Sequence, residues 1–310
     1  MDIAVQVVGD YAHVANIARI TEESKAVALA LADHYLYGSK PQDYRNPAYD
    51  SLFQAAALAR DTRDLELVML VSPITFRHPA VYAKGAITID EISGGRFTLG
   101  LGAGWHDDEH HYHGLDYPDR KVRFAQLADA FAYVHKYFDN PQGGHEGEFF
   151  RFTGFDSHPK ARREGRRLLI GGSGAAKTPT LAGMYADEFN LYHHETKGIA
   201  ERIEVMRRAA EEAGRDPDAI LISTCMPMLG GDSDAELLEA AAGLARRTKA
   251  DPEELLARYR QTDGIQVGSW DQHREWIERM EHSGIRRTYL QLAAGVDWHL
   301  ERALAELCRR

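Results

Sequence analysis

The feature that most constrains the fold is a repeated alternation between short apolar runs and longer stretches with helical spacing. This alternation is typical of βα units around a parallel sheet, whose strands are apolar on both faces. About eight units follow one another, which matches a closed barrel better than an open sheet of fewer strands. The predicted strands are Ile3–Val8, Ala26–Ala32, Leu65–Val71, Phe97–Leu101, Leu168–Ile170, Glu188–Tyr192, Ile220–Met228 and Thr288–Leu292.

Helices are predicted between these strands and after the last one. They lie at about 11–24, 47–60, 79–92, 119–138, 176–186, 198–214, 234–260, 271–283 and 296–309. The chain of 310 residues is within the usual length of an α/β barrel. We therefore predict an α/β protein with a (β/α)8 TIM-barrel fold in a single domain, residues 1–310. The stretch 140–165 is rich in Gly, Pro and charge and is predicted to be an insertion before the fifth strand.

Charge and cysteine content exclude several classes of protein. A formal net charge of −10 argues against a nucleic-acid partner, which would need clustered Lys and Arg. The two cysteines, Cys225 and Cys308, cannot form a disulfide framework or a Cys-based zinc site. No window approaches the roughly 18 apolar residues of a membrane span, and Asp2–Val8 lacks a signal-peptide pattern. We expect a cytoplasmic protein with no membrane partner.

The exit of the fifth strand is rich in glycine. Gly171, Gly172, Ser173 and Gly174 precede a helix that is predicted to begin near Ala176. Glycines let the backbone approach a ligand, and the free N–H groups of a helix N-terminus attract a phosphate. Ordinary turn chemistry also explains such residues, but the C-terminal end of a barrel strand favours a phosphate site.

The exit of the fourth strand carries alternate glycines at Gly100, Gly102 and Gly104, followed by Trp105. Alternate glycines remove side chains from the barrel mouth, so a flat ring system could lie against the backbone with the indole nearby. Close packing between strands is the alternative explanation.

The exits of the second and third strands carry the other candidates. Asp33 and His34 place a carboxylate beside an imidazole, which transfers protons near neutral pH, although such pairs are often structural. The stretch Val71–Pro79 contains two prolines and is predicted to be a kinked wall that cannot continue a ladder.

A metal site is the competing hypothesis for the histidine-rich stretch after the fourth strand. His106 and His110 have i, i+4 spacing, with Asp107 and Glu109 beside them. A metal-dependent barrel hydrolase would place further ligands at other strand ends, yet the first strand has no His-x-His pair. We therefore predict no metal, and keep a hydrolase using His106, His110 and His193 as an alternative.

Several stretches together resemble the luciferase-like monooxygenase superfamily. They are ADHYLYG (Ala32–Gly38), the block Leu70–His110, LLIGGSG (Leu168–Gly174) and AGMYADEFNLY (Ala182–Tyr192). They occur in the order and with the spacing of that superfamily, and weaker likeness extends to the C-terminus.

This resemblance implies a bacterial luciferase-like barrel that binds FMN or coenzyme F420 at its C-terminal face. His34 would be the catalytic proton donor near the reactive centre of the ring. Residues 69–72 would form a bulge behind the ring, often with a non-prolyl cis peptide, and residues 171–174 would hold the phosphate. The full set of implied cofactor-binding residues is Asp33, His34, Met69, Leu70, Val71, Ser72, Gly102, Gly104, Trp105, Asp108, Gly171, Gly172, Ser173 and Gly174.

The sequences SPITFRHPAVYAK and GLGAGWHDDEH are most similar to those of the F420-dependent branch. Such enzymes exchange a hydride at ring carbon C5, whereas FMN relatives insert oxygen into their substrates. The resemblance further implies a small-molecule substrate, a flavin or F420 reductase as partner, and a homodimer. Trp105 stands where sugar-phosphate-oxidising relatives carry an acid, so that substrate is not predicted. An FMN-dependent two-component monooxygenase and a non-catalytic flavin-binding protein are the alternatives.

Overall fold

The computed structural model describes residues 1–36, 38, 41, 44, 46, 48–161, 167–192, 198–248, 250–262, 265–291 and 297–308. The strands in these ranges are β1 (Asp2–Val7), β2 (Ala28–Leu31), β3 (Glu66–Met69), β4 (Ser72–Pro73), β5 (Phe97–Gly102), β6 (His145–Glu146), β7 (Arg151–Phe152), β8 (Leu168–Gly171), β9 (Glu188–Tyr192), β10 (Leu221–Gly230), β11 (Gln266–Gly268) and β12 (Arg287–Gln291). The α-helices are α1 (Tyr11–Glu23), α2 (Ser51–Asp61), α3 (Pro79–Ser93), α4 (Asp107–His113), α5 (Arg120–Asp139), α6 (Lys177–Tyr185), α7 (Ile199–Glu212), α8 (Asp234–Thr248), α9 (Pro252–Gln261), α10 (Trp270–His282) and α11 (Asp297–Leu307).

Eight parallel strands close a barrel in the order β1, β2, β3, β5, β8, β9, β10 and β12, and β12 pairs with β1. The predicted (β/α)8 barrel is therefore confirmed, together with its insertion before the fifth barrel strand. That the chain is a single domain stays a prediction.

Side chains along each strand alternate between two buried layers, as a strand covered on both faces requires. The outer layer packs the barrel against its helices and includes Ile3, Val5, Leu29 and Leu31. The inner layer fills the barrel with Ala4, Ala28, Ala30, Val68, Leu70, Leu169, Cys225 and Tyr289. Small residues on β1 and β2 leave room inside for the segment that follows β3.

A buried ionic cluster closes the N-terminal end of the barrel. The guanidinium of Arg287, at the start of β12, lies 2.8 Å from Glu66 and 3.5 Å from Glu188. The hydroxyl of Tyr289 donates to Glu188 at 2.9 Å. Because these carboxylates stand at the first residues of β3 and β9, the cluster lies at the end of the barrel opposite the loops with candidate site residues.

Two of the predicted helices differ from the structure for reasons of capping. The prediction of one helix over 234–260 is wrong, because Asp251 caps a new helix and Pro252 occupies its first turn. The helix predicted from 47 begins at Ser51, because the Asp50 side chain accepts the N–H groups of Leu52 and Phe53. Helix α4 and strand β11, which pairs in parallel with the end of β10, were not among the predicted elements.

The insertion contains a β-hairpin that packs against α5. Strands β6 and β7 pair antiparallel, and Asp129 of α5 accepts the backbone N–H groups of Phe149 and Phe150 at 2.6 and 2.9 Å. The same carboxylate lies 2.6 Å from the His145 ring. Residues 162–165 of the predicted insertion lie outside the described residues. None of the described helices is long and apolar enough to cross a membrane.

Candidate active site

The segment after β3 forms a bulge in the barrel mouth. Strand β3 ends at Met69, earlier than predicted, and the Leu70–Val71 peptide bond is cis. Pairing with β5 stops at Val68 opposite Thr98 and resumes at Ser72 opposite Leu101. One extra residue therefore lies on the β3 side, which is the pattern of a β-bulge. We call residues 69–72 the β3 bulge.

The prediction that the two prolines prevent a ladder is wrong for the first of them. Pro73 pairs with Gly102, because the next residue, Ile74, supplies the N–H that proline lacks and donates to the Gly102 carbonyl at 2.9 Å. The Tyr82 hydroxyl donates to the Pro73 carbonyl at 2.6 Å. The wall of the mouth is thus held by hydrogen bonds on both sides of Pro73.

The alternate glycines of β5 make room for the β3 bulge. A Cβ at Gly100 would lie 1.9 Å from the Met69 carbonyl oxygen, and one at Gly102 would lie 2.7 Å from a Val71 methyl group. A Cβ at Gly171 would lie 3.0 Å from the other Val71 methyl group. Close packing, the alternative weighed from the sequence, therefore accounts for these glycines, and the packing partner is the bulge itself.

Asp33 is a buried anchor. Its side chain is fully buried and accepts hydrogen bonds from Ser72 at 2.8 Å and from Arg77 at 2.6 Å. Arg77 also pairs with Asp50. Burial would lower the pKa of Arg77, but Asp33 and Asp50 raise it above the usual value. These bonds tie the exit of β2 to the β3 bulge and engage the carboxylate that the resemblance assigned to the cofactor.

His34 follows Asp33 and pairs with Glu109 of α4. Its Nδ1 lies 3.0 and 3.1 Å from the two carboxylate oxygens of Glu109. The His34 side chain is 29% exposed, whereas that of Glu109 is 1% exposed. Glu109 also accepts the backbone N–H groups of Tyr35 and Leu36 at 2.7 and 3.1 Å. One buried carboxylate thus organises three consecutive residues at the end of β2.

The charge state of Glu109 follows from its partners. Burial alone would raise its pKa, but the hydrogen bond and charge of His34, the Leu36 N–H and the nearby His106 hold the pKa below its usual value. An ionised carboxylate accepts hydrogen bonds only, so Nδ1 of His34 must carry the proton that it donates. Sequence reasoning considered Glu109 only as a possible metal ligand and missed this pairing.

Aromatic side chains border His34 on the side of α4. Trp105 is 63% exposed, and its ring centroid lies 5.7 Å from that of His34 and 4.9 Å from that of His106. The Tyr44 hydroxyl donates to Asp108 at 2.5 Å, and this hydrogen bond raises the pKa of Tyr44 to about 12. The predicted residues Trp105 and Asp108 therefore belong to one rim of the mouth.

The histidines of α4 are engaged in the fold. His110 is buried, with Nδ1 2.8 Å from the His106 carbonyl and Nε2 2.6 Å from the Thr75 hydroxyl. Within the described ranges, no group of three His, Cys, Asp or Glu residues could hold a metal ion. His193, the third histidine of the hydrolase alternative, lies outside the described residues.

The glycine-rich turn after β8 leads into an uncapped helix. Ala176 precedes α6 without a side-chain cap, which leaves the first N–H groups of the helix open. A Cβ at Gly174 would lie 2.8 Å from the Thr178 hydroxyl, so a larger residue would fill this cradle. Arg202 donates to the Ser173 carbonyl at 3.2 Å, and Lys177 is exposed in the first turn. The turn therefore combines open backbone donors with two cations.

Comparison with known proteins matches this chain to one family and to enzymes that use F420 or FMN. The family model described as luciferase-like monooxygenase matches residues 3–287. The chain is 29% identical over 246 residues to the F420-dependent glucose-6-phosphate dehydrogenase of Nakamurella multipartita. This match covers 76% of this chain and 70% of that protein. It is 22% identical over 205 residues to the FMNH(2)-dependent dimethylsulfone monooxygenase of Pseudomonas putida, covering 66% of this chain and 55% of that protein.

Among solved structures, the chain is similar to an F420-dependent secondary alcohol dehydrogenase in complex with an F420-acetone adduct. The TM-score is 0.79 at 18% identity, and the match covers 100% of this chain and 99% of that chain. At this identity the likeness supports the fold alone.

Proposed function

Since the chain belongs to the luciferase-like monooxygenase family, we propose that it is an oxidoreductase that exchanges a hydride between coenzyme F420 and a small organic substrate. The observation that carries the proposal is His34, a partly exposed imidazole at the barrel mouth whose Nδ1 is engaged by a buried carboxylate. The F420 assignment is further supported by the sequence of the Leu70–His110 block and by the likeness to an F420-dependent dehydrogenase.

The mouth fits a cofactor with a flat ring and a phosphate. The ring would lie against the β3 bulge, for which the glycines on β5 and β8 make room. The phosphate would be held by residues 171–174, the open N–H groups of α6, Lys177 and Arg202. When bound, F420 supplies the hydride chemistry at ring carbon C5.

His34 holds the proton that accompanies the hydride. Because Nδ1 donates to Glu109, the atom left for the substrate is Nε2. This nitrogen donates a proton to a substrate oxygen when the substrate is reduced and accepts it when the substrate is oxidised. Asp33 supports this function through Arg77 and Ser72, which position the β2 exit, rather than by contact with the cofactor.

Titration of the purified protein separately with F420 and with FMN determines which cofactor it binds. We expect tight binding of F420 and weak binding of FMN, measured from the change in cofactor absorbance. Tight FMN binding without F420 binding would overturn the F420 assignment. The variant His34→Ala should bind the cofactor but lose turnover, which separates an enzyme from a non-catalytic flavin-binding protein.

A second candidate is an FMN-dependent monooxygenase supplied by a separate flavin reductase. The likeness to the FMNH(2)-dependent monooxygenase favours it. Incorporation of oxygen into an added substrate, above the background oxidation of free reduced FMN by oxygen, would support this function, and its absence would count against it. The homodimer and the cytoplasmic location rest on the resemblance and on sequence pattern, and sedimentation velocity tests the former.

A further inference from the structure

A chain of two hydrogen bonds crosses the barrel beneath the β3 bulge. Gln6 of β1 is buried, and its Nε2 donates to the Leu70 carbonyl at 2.6 Å. Its Oε1 accepts from the Cys225 thiol of β10 at 3.3 Å. Three segments far apart in sequence are thereby joined inside the barrel, directly below the face that the ring would occupy.

The orientation of this chain is determined by its two ends. The Leu70 carbonyl is only an acceptor, so the amide must present its N–H there and turn its oxygen to Cys225. Burial raises the pKa of Cys225 to about 12, so the thiol keeps the proton that it donates. Each polar atom in the chain thus has a partner of the correct kind.

The Leu70 carbonyl needs this partner because the bulge removes it from the sheet. Pairing with β5 is interrupted between Val68 and Ser72, while the Leu70 N–H still donates to Leu31 at 2.8 Å. The carbonyl on the other side of the residue would be buried without a donor if Gln6 were absent. A buried carbonyl without a donor keeps the full cost of its lost hydration, which favours a shift of the backbone that relieves it.

We propose that Gln6 is a positioning residue for the cofactor ring, which fixes the β3 bulge through the Leu70 carbonyl and is itself oriented by Cys225. This inference rests on the proposed function, because the bulge is the surface against which the ring lies. Replacing Gln6 should loosen the bulge and thereby weaken the binding of the ring. Gln6 acts through the bulge, because it lies beneath it and not against the ring.

The test compares Gln6→Leu with the matched control Gln54→Leu. Gln54 is also buried and donates its amide to a backbone carbonyl, that of Gly9, at 3.0 Å, but it lies on α2 outside the barrel. Both variants should lower the melting temperature of the cofactor-free protein. Only Gln6→Leu should lower cofactor affinity, on the order of tenfold, in titrations with F420 and FMN.

A second pair of variants keeps the inference testable if Gln6→Leu does not fold. Cys225→Ala removes the donor to Gln6 and should weaken cofactor binding less than the loss of Gln6, whereas Cys225→Ser keeps a donor and should restore it. Equal cofactor affinity in the Gln6 and Gln54 variants, or in the two Cys225 variants, would overturn the inference while the proposed function stands. Failure of the unaltered protein to bind either cofactor would overturn both.

Discussion

At the level of single residues, the buried carboxylate of Glu109 pairs with Nδ1 of His34. It lies 75 positions away in sequence and becomes its partner only because α4 packs against the exit of β2. The sequence indicates that a histidine follows β2, but nothing local indicates which carboxylate engages it. The set of site residues predicted from motifs therefore lacked Glu109, the partner of the imidazole.

Replacing this carboxylate should separate catalysis from cofactor binding. In Glu109→Gln the charge that orients His34 is lost while the volume is kept, and we expect the turnover number to fall by about 10²-fold with cofactor affinity nearly unchanged. Steady-state kinetics and cofactor titration measure the two effects.

The matched control for this prediction is Glu22→Gln. Glu22 likewise accepts successive backbone N–H groups, those of Arg63, Asp64 and Leu65 at 2.7, 2.9 and 3.2 Å, but it does not pair with His34. It should lose stability and keep its turnover number. An equal loss of turnover in both variants would contradict a specific role for Glu109.

The pH dependence of stability follows from the lowered pKa of Glu109. A carboxyl whose native pKa lies below its unfolded value of 4.5 contributes full stability above that value and loses it as the pH falls through the native pKa. The difference in unfolding free energy between the unaltered protein and Glu109→Gln should therefore shrink on acidification below about pH 4.5. Urea denaturation across this range measures it, and a difference that grows on acidification would show the sign to be wrong.

At the scale of the element, the start of α6 illustrates what local sequence predicts well. The glycine-rich turn and the helix after it were both predicted, since turn residues and helical spacing act over a few positions. The β3 bulge is a different case, because the apolar run continues through it and local pattern does not reveal it. Its position at residues 69–72 was implied only by the family resemblance, and the pairing with β5 shows the interruption there.

The cation at this helix start gives a test of the phosphate site. We expect Lys177→Ala to weaken binding of the phosphate-bearing cofactor by about three- to tenfold, and to make binding less sensitive to salt, because one positive charge is lost beside the anion. Binding of the ring system without its phosphate should not change. Titrations with FMN and riboflavin, or with F420 and its phosphate-free ring, measure this at two salt concentrations.

Lys121→Ala is the control for Lys177. Lys121 also lies in the first turn of a helix, α5, but that helix start is capped by Asp119. Its removal should leave cofactor affinity unchanged. A loss of riboflavin binding in Lys177→Ala as large as the loss of FMN binding would argue against a phosphate contact.

At the level of the whole molecule, the buried ionic cluster and the candidate site lie at opposite ends of the barrel. The ionic cluster of Arg287, Glu66 and Glu188 closes one end, and the bulge, His34 and the glycine-rich turn lie at the other. A substitution at one end should therefore leave the other end unaltered.

We expect Arg287→Met to lower the free energy of unfolding by about 3–5 kcal/mol, because Glu188 then loses its buried cationic partner. Urea denaturation measures the loss. The double variant Arg287→Met with Glu188→Gln should recover part of it, and folded protein of either variant should bind cofactor normally. Full stability in the single variant would mean that the charge pair contributes little.

The eight barrel strands, their order along the chain and the glycine-rich turns could be predicted from the sequence, because apolar periodicity and turn chemistry are properties of neighbouring residues. The sequence also indicated most helix starts, but not that of α2 at Ser51, that of α4, or the division of one predicted helix at Asp251 and Pro252. The pairing of Glu109 with His34, of Arg77 with Asp33 and of Gln6 with the Leu70 carbonyl is visible only in the tertiary structure. These pairings join residues from different βα units, and closure of the barrel is what brings them within hydrogen-bonding distance.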